Sequence, residues 1–500
     1  DTYWSQCDKR LLTSIKPDRR RGNHHQIRDM ATACGAAVVW LDCRMPAERE
    51  LMRKFLADMQ AGKAIILGWY TSERSGITTA SEFGIGTIPA DHYNSSTMFA
   101  GTDHRIAIPT VPKKPPLENN IYVAVFISDG DNIQYVQRAM RRIWDRAADS
   151  RGRVPLNWTI APGLVDIGPG ILNYYYQNAT AQDCFVAGPS GMGYLMPINT
   201  LAELGAPIGS HLTEDHRMSG YAQLTNTYLQ RAGLRVATIW DDMALAHRAI
   251  YAQECRSLYG ATVQNFKDVP EVASSVEAKR TRFEKLVVPY AGSYEHLHRS
   301  LTREIRNWDV QAPLFLAYQV SIWGEMKPAR IVQFVNDIQR EYGERVTFVR
   351  ADHYFTLYNE AEHLPFNLVM CSETTARSVH EELAIPQVID GSPSTQWIAE
   401  QPGTAVIEID CGATYHISRY AIRHGGSPED TSAHKSRNFD LSASSDGQDW
   451  KTVDSVRDNI QSLTDRDLSP TDARYVRLTI LDPGDDQRAQ VADIEVYGSR

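Results

Sequence analysis

From Ile121 to about Arg350 the chain repeats one pattern: an apolar run of strand length, a polar corner, then apolar residues at helical spacing. The runs fall at 121–128, 154–161, 184–187, 234–240, 286–289, 313–320 and 345–350, with a weaker one around 208–212. Ile133, Val136, Met140 and Ile143 form one helical stripe, and Ile331, Val332, Val335 and Ile338 another. Strands without polar alternation are buried on both faces, which calls for helices on each side of a mainly parallel sheet. Seven or eight such units predict a TIM-like (β/α) barrel, complete or irregular, over 118–380.

A chain of 500 residues exceeds what one core supports, so further domains are expected. Residues 1–117 have α/β character. Val38 to Leu41 reads as a buried strand, Pro46 starts a helix, and Leu51, Met52, Phe55, Leu56 and Met59 recur at helical spacing before a second strand over 64–69. Prolines at 112, 115 and 116 stop regular structure and mark a boundary. Beyond Pro386 the helical period disappears, and short segments at 406–409, 439–443, 475–480 and 494–497 show partial alternation between Gly, Asp and Ser turns. Residues 386–500 therefore read as an all-β sandwich or jelly roll.

The formal charge of −9 and the absence of a long Lys/Arg run argue against nucleic acid as a partner. The short clusters Arg19–Arg21 and Arg141–Arg142 read as solvated faces. No apolar stretch approaches the ~20 residues of a membrane span. No signal peptide is visible from Asp1, as in a mature secreted chain or a trimmed one. The seven cysteines have no metal-ligand spacing, and Cys34 and Cys43 are near enough in sequence to bridge.

The last segment carries Val388-Ile389-Asp390-Gly391, Ser394 to Trp397, Ile407 to Gly412, Ser444 to Gly447 with Trp450, Ala473 to Leu478 and Ile494 to Gly498. In this order it resembles coagulation-factor-5/8 type C, or discoidin-like, domains. The resemblance implies a jelly roll that binds sugars, with a structural calcium whose matching positions are Asp390, Thr395 and Glu495. Ser392 stands where the family often has another acid or amide. Trp397, Trp450 and Tyr475 read as core aromatics, leaving loops such as 424–434 for ligand.

Gly191-Met192-Gly193-Tyr194-Leu195-Met196-Pro197, together with Ser128 to Asn132 and Trp240-Asp241-Asp242, resembles the glycoside-hydrolase-like family named for a Gly-x-Gly-Tyr-x-Tyr-Pro motif. Met196 replaces the second tyrosine. The resemblance covers residues 35 to 375 and implies sugar chemistry in a barrel body behind a smaller α/β region. It places the chain outside the cell, in the periplasm or at the cell surface.

Polar residues just past barrel strands converge on one rim. Asp129 and Asp131 flank Gly130 after the first strand, and Asp241 follows Trp240. Trp323 and Glu325 end another strand, offering a stacking face and an acid. Glycoside hydrolysis uses two carboxyl groups with separated pKa values. The catalytic candidates are therefore Asp129, Asp131, Asp241 and Glu325, with Asn132, Tyr194, Glu214, Trp323, Asp352 and His353 as substrate contacts. The predicted function is hydrolysis of a poly- or oligosaccharide, needing no cofactor. Two alternatives stand beside it. One is a metal-dependent carbohydrate deacetylase or hydrolase joining Asp129 and Asp131 to His296 and His298, whose spacing directs both imidazoles one way on a strand. The other is a non-catalytic glycan-binding surface protein.

Overall fold

The computed structural model describes residues 2–17, 26–103, 105–198, 212–264, 273–425, 435–485 and 487–500. The arginines at 19–21, the strand candidate at 208–211 and most of the 424–434 loop lie outside them. The chain divides into a first unit, Asp1–Ile106 with Asn119–Phe355, and a second, Ala107–Glu118 with Thr356–Arg500.

The first unit opens with a four-stranded parallel sheet in the order β2-β1-β3-β4, formed by β1 (Leu11–Ser14), β2 (Ala37–Val39), β3 (Ile65–Gly68) and β4 (Thr87–Pro89). The predicted helix runs over Pro46–Ala57 with Pro46 in its first turn, burying Met52 and Leu56. Leu51 faces water instead, and Val38 is 49% exposed, so the first strand is a sheet edge rather than a buried run.

The larger sheet contains β5 (Ile121–Ile127), β6 (Leu156–Ile160), β7 (Asp183–Ala187), β8 (Val236–Ile239), β9 (Gly260–Val263), β10 (Ser275–Glu277), β11 (Thr281–Lys285), β12 (Val288–Ala291), β13 (Leu314–Val320) and β14 (Val346–Phe348). Its order is β10-β11-β9-β8-β7-β6-β5-β13-β12, with β14 on β5. All pairings are parallel except the β10–β11 hairpin. The sheet is therefore large and mixed rather than a uniform eightfold alternation. Two residues separate β11 from β12: the Leu286 N–H donates to the Val263 carbonyl of β9 (3.1 Å) and the Val287 N–H to the Ala317 carbonyl of β13 (2.8 Å). The chain thus transfers from one neighbour to the other within a single extended run. The first predicted helical stripe is partly a π-helix, Tyr135–Met140, continued by the α-helix Arg141–Arg146.

Every residue of β5, β6, β7, β8 and β9 is buried, and β5 is apolar throughout. Trp158 and Phe185 pack outward on Trp144 of the helical layer, 5.2 and 5.8 Å between ring centres. The opposite face carries Asn157, Thr159, Thr238 and Thr262, an uncommonly polar interior.

The second unit is a β-sandwich dominated by β19 (Ala405–His424), β20 (Asn438–Ser444), β22 (Leu463–Asp482) and β23 (Gln490–Ser499), with β15 (Phe366–Asn367), β16 (Thr375–Ser378), β17 (Leu383–Ala384), β18 (Trp397–Ile398) and β21 (Lys451–Val456) at its margins. Trp397 lies in the core, while Trp450 and Tyr475 are partly exposed beneath the guanidiniums of Arg477 and Arg474. Segment 107–118 belongs to this unit: Val111 donates to the Asp390 carbonyl, and Lys114 pairs with Glu360 at 2.7 Å. The seven cysteines are free thiols. Cys43 is buried beside Thr79, whereas Cys34 sits at an exposed helix end near Met30, so the two do not bridge. No helix of the described residues is long and apolar enough to cross a membrane.

Candidate active site

The corner after β5 is built around Gly130. Its N–H donates to Thr159 Oγ1 (2.9 Å), and a Cβ there would stand 1.5 Å from the Thr159 carbonyl oxygen, so only glycine lets the turn close against β6. That closure forces Asp129 to φ +74°, a left-handed conformation an aspartate adopts at a cost. Asp129 Oδ2 accepts from the hydroxyls of Ser128 and of Tyr290, the latter at 3.0 Å. Its Oδ1 makes no hydrogen bond among the described residues.

Asp131 is the electrostatic counterpart. Burial first, then the charge of Asp129, with a smaller contribution from Glu73, pushes its carboxyl well above the usual range. Asn132 accepts the Tyr135 N–H (3.2 Å), starting the following helix, and donates to Asp91 Oδ1 (3.0 Å), which lies two residues past β4. Loops following β3 and β4 of the smaller sheet thus face the rim of the larger one.

Tyr194 joins the same cluster. It is held by a two-way backbone bridge to Thr87 of β4, and a Cβ on Gly193 would stand 2.9 Å from the backbone carbon of Gly86. Its ring meets Trp240 edge-on at 6.0 Å, and Trp240 meets Tyr290 at 5.8 Å. Burial first, and then the charges of Glu73, Asp131 and Asp241, push the Tyr194 hydroxyl well above the ordinary tyrosine range. Met196 occupies the position of the motif's second tyrosine and is fully buried in the core of the smaller sheet, its N–H on Ser81 Oγ. An apolar side chain suits that environment.

Asp241 is fully buried at the tip of β8 and accepts the Ile198 N–H at 2.8 Å. Trp323 is 57% exposed and meets Tyr135 edge-on, 5.0 Å between ring centres, and the Tyr135 hydroxyl lies in the field of Asp129. The structure therefore gathers Asp129, Asp131, Asn132, Tyr194 and Asp241, with Trp323 beside them.

The other candidates lie elsewhere. Glu325 accepts the Tyr294 N–H at the start of the helix Tyr294–Asn307 and stands 3.9 Å from Arg330. Glu214 pairs with Arg217 at the start of the helix Asp215–Ala232. Asp352 is paired with Arg350 (2.7 Å), which also donates to the Ala181 and Asp183 carbonyls at the N-terminal end of β7; the Arg350 charge holds the Asp352 carboxyl far below its ordinary value despite burial. His353 follows in the same buried turn, away from the strand tips that carry Asp129 and Asp241. His296 and His298 lie on a helix rather than a strand, so their spacing of two turns the imidazoles apart; His298 stacks on Tyr294. Among the described residues no three His, Cys, Asp or Glu side chains form a group that could hold a metal. Asp390 accepts from Thr395 Oγ1 (2.9 and 3.0 Å) and the Ser392 N–H (2.9 Å), and Glu495 accepts from the Tyr497 hydroxyl (2.7 Å).

Sequence reasoning missed Glu73, Asp91, Trp240 and Tyr290. Trp240 carried a signal, standing beside the selected Asp241. Glu73 and Asp91 belong to a region read as separate, and Tyr290 reaches Asp129 across 161 positions.

Family models match three stretches: "GxGYxYP third domain" over residues 9–101, "GxGYxYP putative glycoside hydrolase C-terminal domain" over 119–359, and "F5/8 type C domain" over 372–494. No curated protein matches the chain. Among solved structures, a "putative hydrolase" from Bacteroides thetaiotaomicron VPI-5482 is similar at 21% identity and TM-score 0.57, covering 72% of this chain and 68% of that one. The family 32 carbohydrate-binding module of Streptococcus pneumoniae EndoD is 20% identical, with 27% of this chain covering 100% of that one at TM-score 0.24. The chain carries the third and C-terminal GxGYxYP domains followed by an F5/8 type C, discoidin-like domain.

Proposed function

We propose that the first unit hydrolyses glycosidic bonds, with Asp131 as proton donor and Asp129 as its ionised partner. The observation that carries this is the contrast between neighbouring carboxyls: burial and then the Asp129 charge raise the Asp131 carboxyl well above its ordinary range, whereas Asp129 is fixed by the Ser128 and Tyr290 hydroxyls with Oδ1 left open. Asp131 gives its proton to the glycosidic oxygen as the C–O bond breaks. Asp129 faces the positive charge that develops on the sugar ring, and water adds to the anomeric carbon as the hydroxyl of the new reducing end while its other proton passes to the Asp131 carboxylate and restores the acid. Asp241 positions the 190–198 loop through Ile198, Tyr194 offers its hydroxyl, and Trp323 takes the apolar face of a sugar at the entrance. In this reading Glu325, Glu214, Asp352 and His353 serve the fold. Transfer of the 281–291 run from β9 to β13 closes the sheet into an irregular barrel whose rim is the site. The sandwich binds glycan and keeps the enzyme on its polymer outside the cell or at its surface.

Single replacements Asp129→Asn, Asp131→Asn, Asp241→Asn and Glu325→Gln, assayed on a glycan library, test the roles. Asp129→Asn and Asp131→Asn lose about 10²–10⁴-fold in turnover, while Glu325→Gln stays near wild type. Full activity in both aspartate variants refutes the assignment.

A further inference from the structure

Exposed aromatic rings are scarce on this chain: among the described residues they are Tyr3, Tyr290 and Trp323. Two of the three stand at the corner that carries Asp129. Tyr290 donates its hydroxyl to the Asp129 carboxylate, and Ile322, beside Trp323, donates its N–H to Ser128 Oγ (3.4 Å). Tyr290 is 36% exposed, although Val288 and Ala291 of the same strand are buried. Its hydroxyl, more than its ring, is what the fold holds.

The reach to Asp129 is built into the sheet. β5, β13 and β12 are neighbours in that order, so β12 stands two strand spacings, about 10 Å, from the corner after β5. Each of the three brings a hydroxyl to this end: Ser128 after β5, Ser321 after β13 and Tyr290 within β12. Backbone bonds tie the tips together, from the Ser128 N–H to the Val320 carbonyl (3.2 Å) and from the Ser321 N–H to the Ala291 carbonyl (2.9 Å). Of these side chains only a tyrosine is long enough to cross the intervening strand, and Tyr290 meets Asp129 Oδ2 at 3.0 Å. Val288 pairs with Tyr318 and Ala291 with Val320, so three steps along β12 match two along β13. An extra residue of this kind re-aims side chains, and Tyr290 lies within it.

Both donors to Asp129, the hydroxyls of Ser128 and Tyr290, converge on Oδ2, whereas Oδ1 accepts no hydrogen bond among the described residues. The carboxylate cannot turn about its bond to Cβ without losing both, so Oδ1 keeps one direction. Each donor is itself held. Ser128 is buried and takes the Ile322 N–H, and the Tyr290 ring meets Trp240 edge-on at 5.8 Å between centres. We propose that Tyr290 is a positioning residue for the hydrolysis, holding Oδ2 of Asp129 so that Oδ1 is turned to the sugar ring; this rests on the hydrolase reading for its reaction.

Two measurements on the full chain test it, and the first needs no substrate. Burial, and after it the Asp129 charge, pushes the Tyr290 phenol up to about 12. In protein whose tyrosines carry carbon-13 at the hydroxyl-bearing ring carbon, Tyr290→Phe identifies the Tyr290 signal. Asp129→Asn is expected to bring its titration down by about one pH unit; a signal that titrates alike in both proteins overturns the contact. The second is Tyr290→Phe kinetics on a glycan the wild type cleaves. The ring and its packing remain, so kcat should fall about 10–100-fold, with KM within about twofold and the thermal midpoint unmoved. A kcat loss that comes with a midpoint several degrees lower indicates a structural bond and overturns the role, as does a higher KM at wild-type kcat. If Asp129→Asn and Asp131→Asn abolish hydrolysis while Tyr290→Phe keeps wild-type kcat, the positioning falls and the hydrolase stands. If no glycan is cleaved yet the Tyr290 titration responds to Asp129→Asn, the reaction falls and the hold on Asp129 stands.

Discussion

Lys114 and Glu360 make a buried ion pair inside the second unit, and its disruption has a calculable consequence. The ammonium and carboxylate are 2.7 Å apart with side chains 4% and 2% exposed, and Arg500 approaches the other carboxylate oxygen at 3.3 Å. Glu360→Gln leaves the Lys114 charge in a dry site without its counter-charge, for which the cost is about 3–5 kcal/mol. At about 2–4 °C per kcal/mol for a unit of this size, the sandwich transition falls by roughly 6–20 °C. Lys114→Met has a smaller effect, since Arg500 still faces Glu360. The double variant Lys114→Met/Glu360→Met, which removes both charges, returns to within about 1–2 kcal/mol of wild type. Scanning calorimetry of the full-length chain follows the transition, and the double-mutant cycle isolates the coupling. Single variants that each cost under about 1 kcal/mol and add without coupling would show that water reaches the pair, and the burial argument would be wrong.

Gly130→Ala is expected to abolish activity and destabilise the first unit, because its methyl would collide with the Thr159 carbonyl; a soluble, active Gly130→Ala protein contradicts the packing of the corner. The raised Asp131 carboxyl predicts that turnover falls as pH rises through its pKa, and that its contribution to stability, present at low pH, is lost over the same rise; pH–rate and pH–melting profiles of wild type against Asp131→Asn check both. His424, buried against Thr464, is pushed down to about 4, so the folded state keeps it neutral. The sandwich should lose about 3 kcal/mol as pH falls from 6.5 to 4, a loss that denaturant melts of His424→Gln should not show. Asp390 and Thr395 Oγ1 lie within 3.0 Å of each other, and a calcium held by Asp390, Thr395 and Glu495 raises the sandwich midpoint when added and lowers it when removed by EDTA; a midpoint that neither treatment moves removes the metal assignment.

Much of the large sheet was legible because strands such as β5, an unbroken apolar run, need no further information to be buried. The sandwich was legible from turn chemistry and landmark order. Less could be read where local signals conflict with context. β9, Gly260–Val263, is short and opens on a glycine, and β11, Thr281–Lys285, alternates charge with an aromatic; both are strands because neighbours on each side complete their hydrogen bonds. Glu325 read as a rim acid because it follows a strand, yet the free N–H at the start of the preceding helix, Tyr294–Asn307, claimed it. Asp129 and Asp131 were visible as a pair, but their division of labour depends on Tyr290 and Glu73, which only the folded chain brings near.

The route of the backbone through 107–118 bears on how this protein can be cut or recombined. The polypeptide leaves its first unit after Ile106, spends a dozen residues inside the second, and returns at Asn119 before finishing the first. A stop codon after Phe355 would therefore not yield a clean fragment of the first unit, because it strands Lys113, Lys114 and Val111 without the carbonyls and carboxylate they bind. Transplanting the sandwich onto another protein would require both pieces of chain, so here the discoidin-like part is stitched in rather than hung on the end.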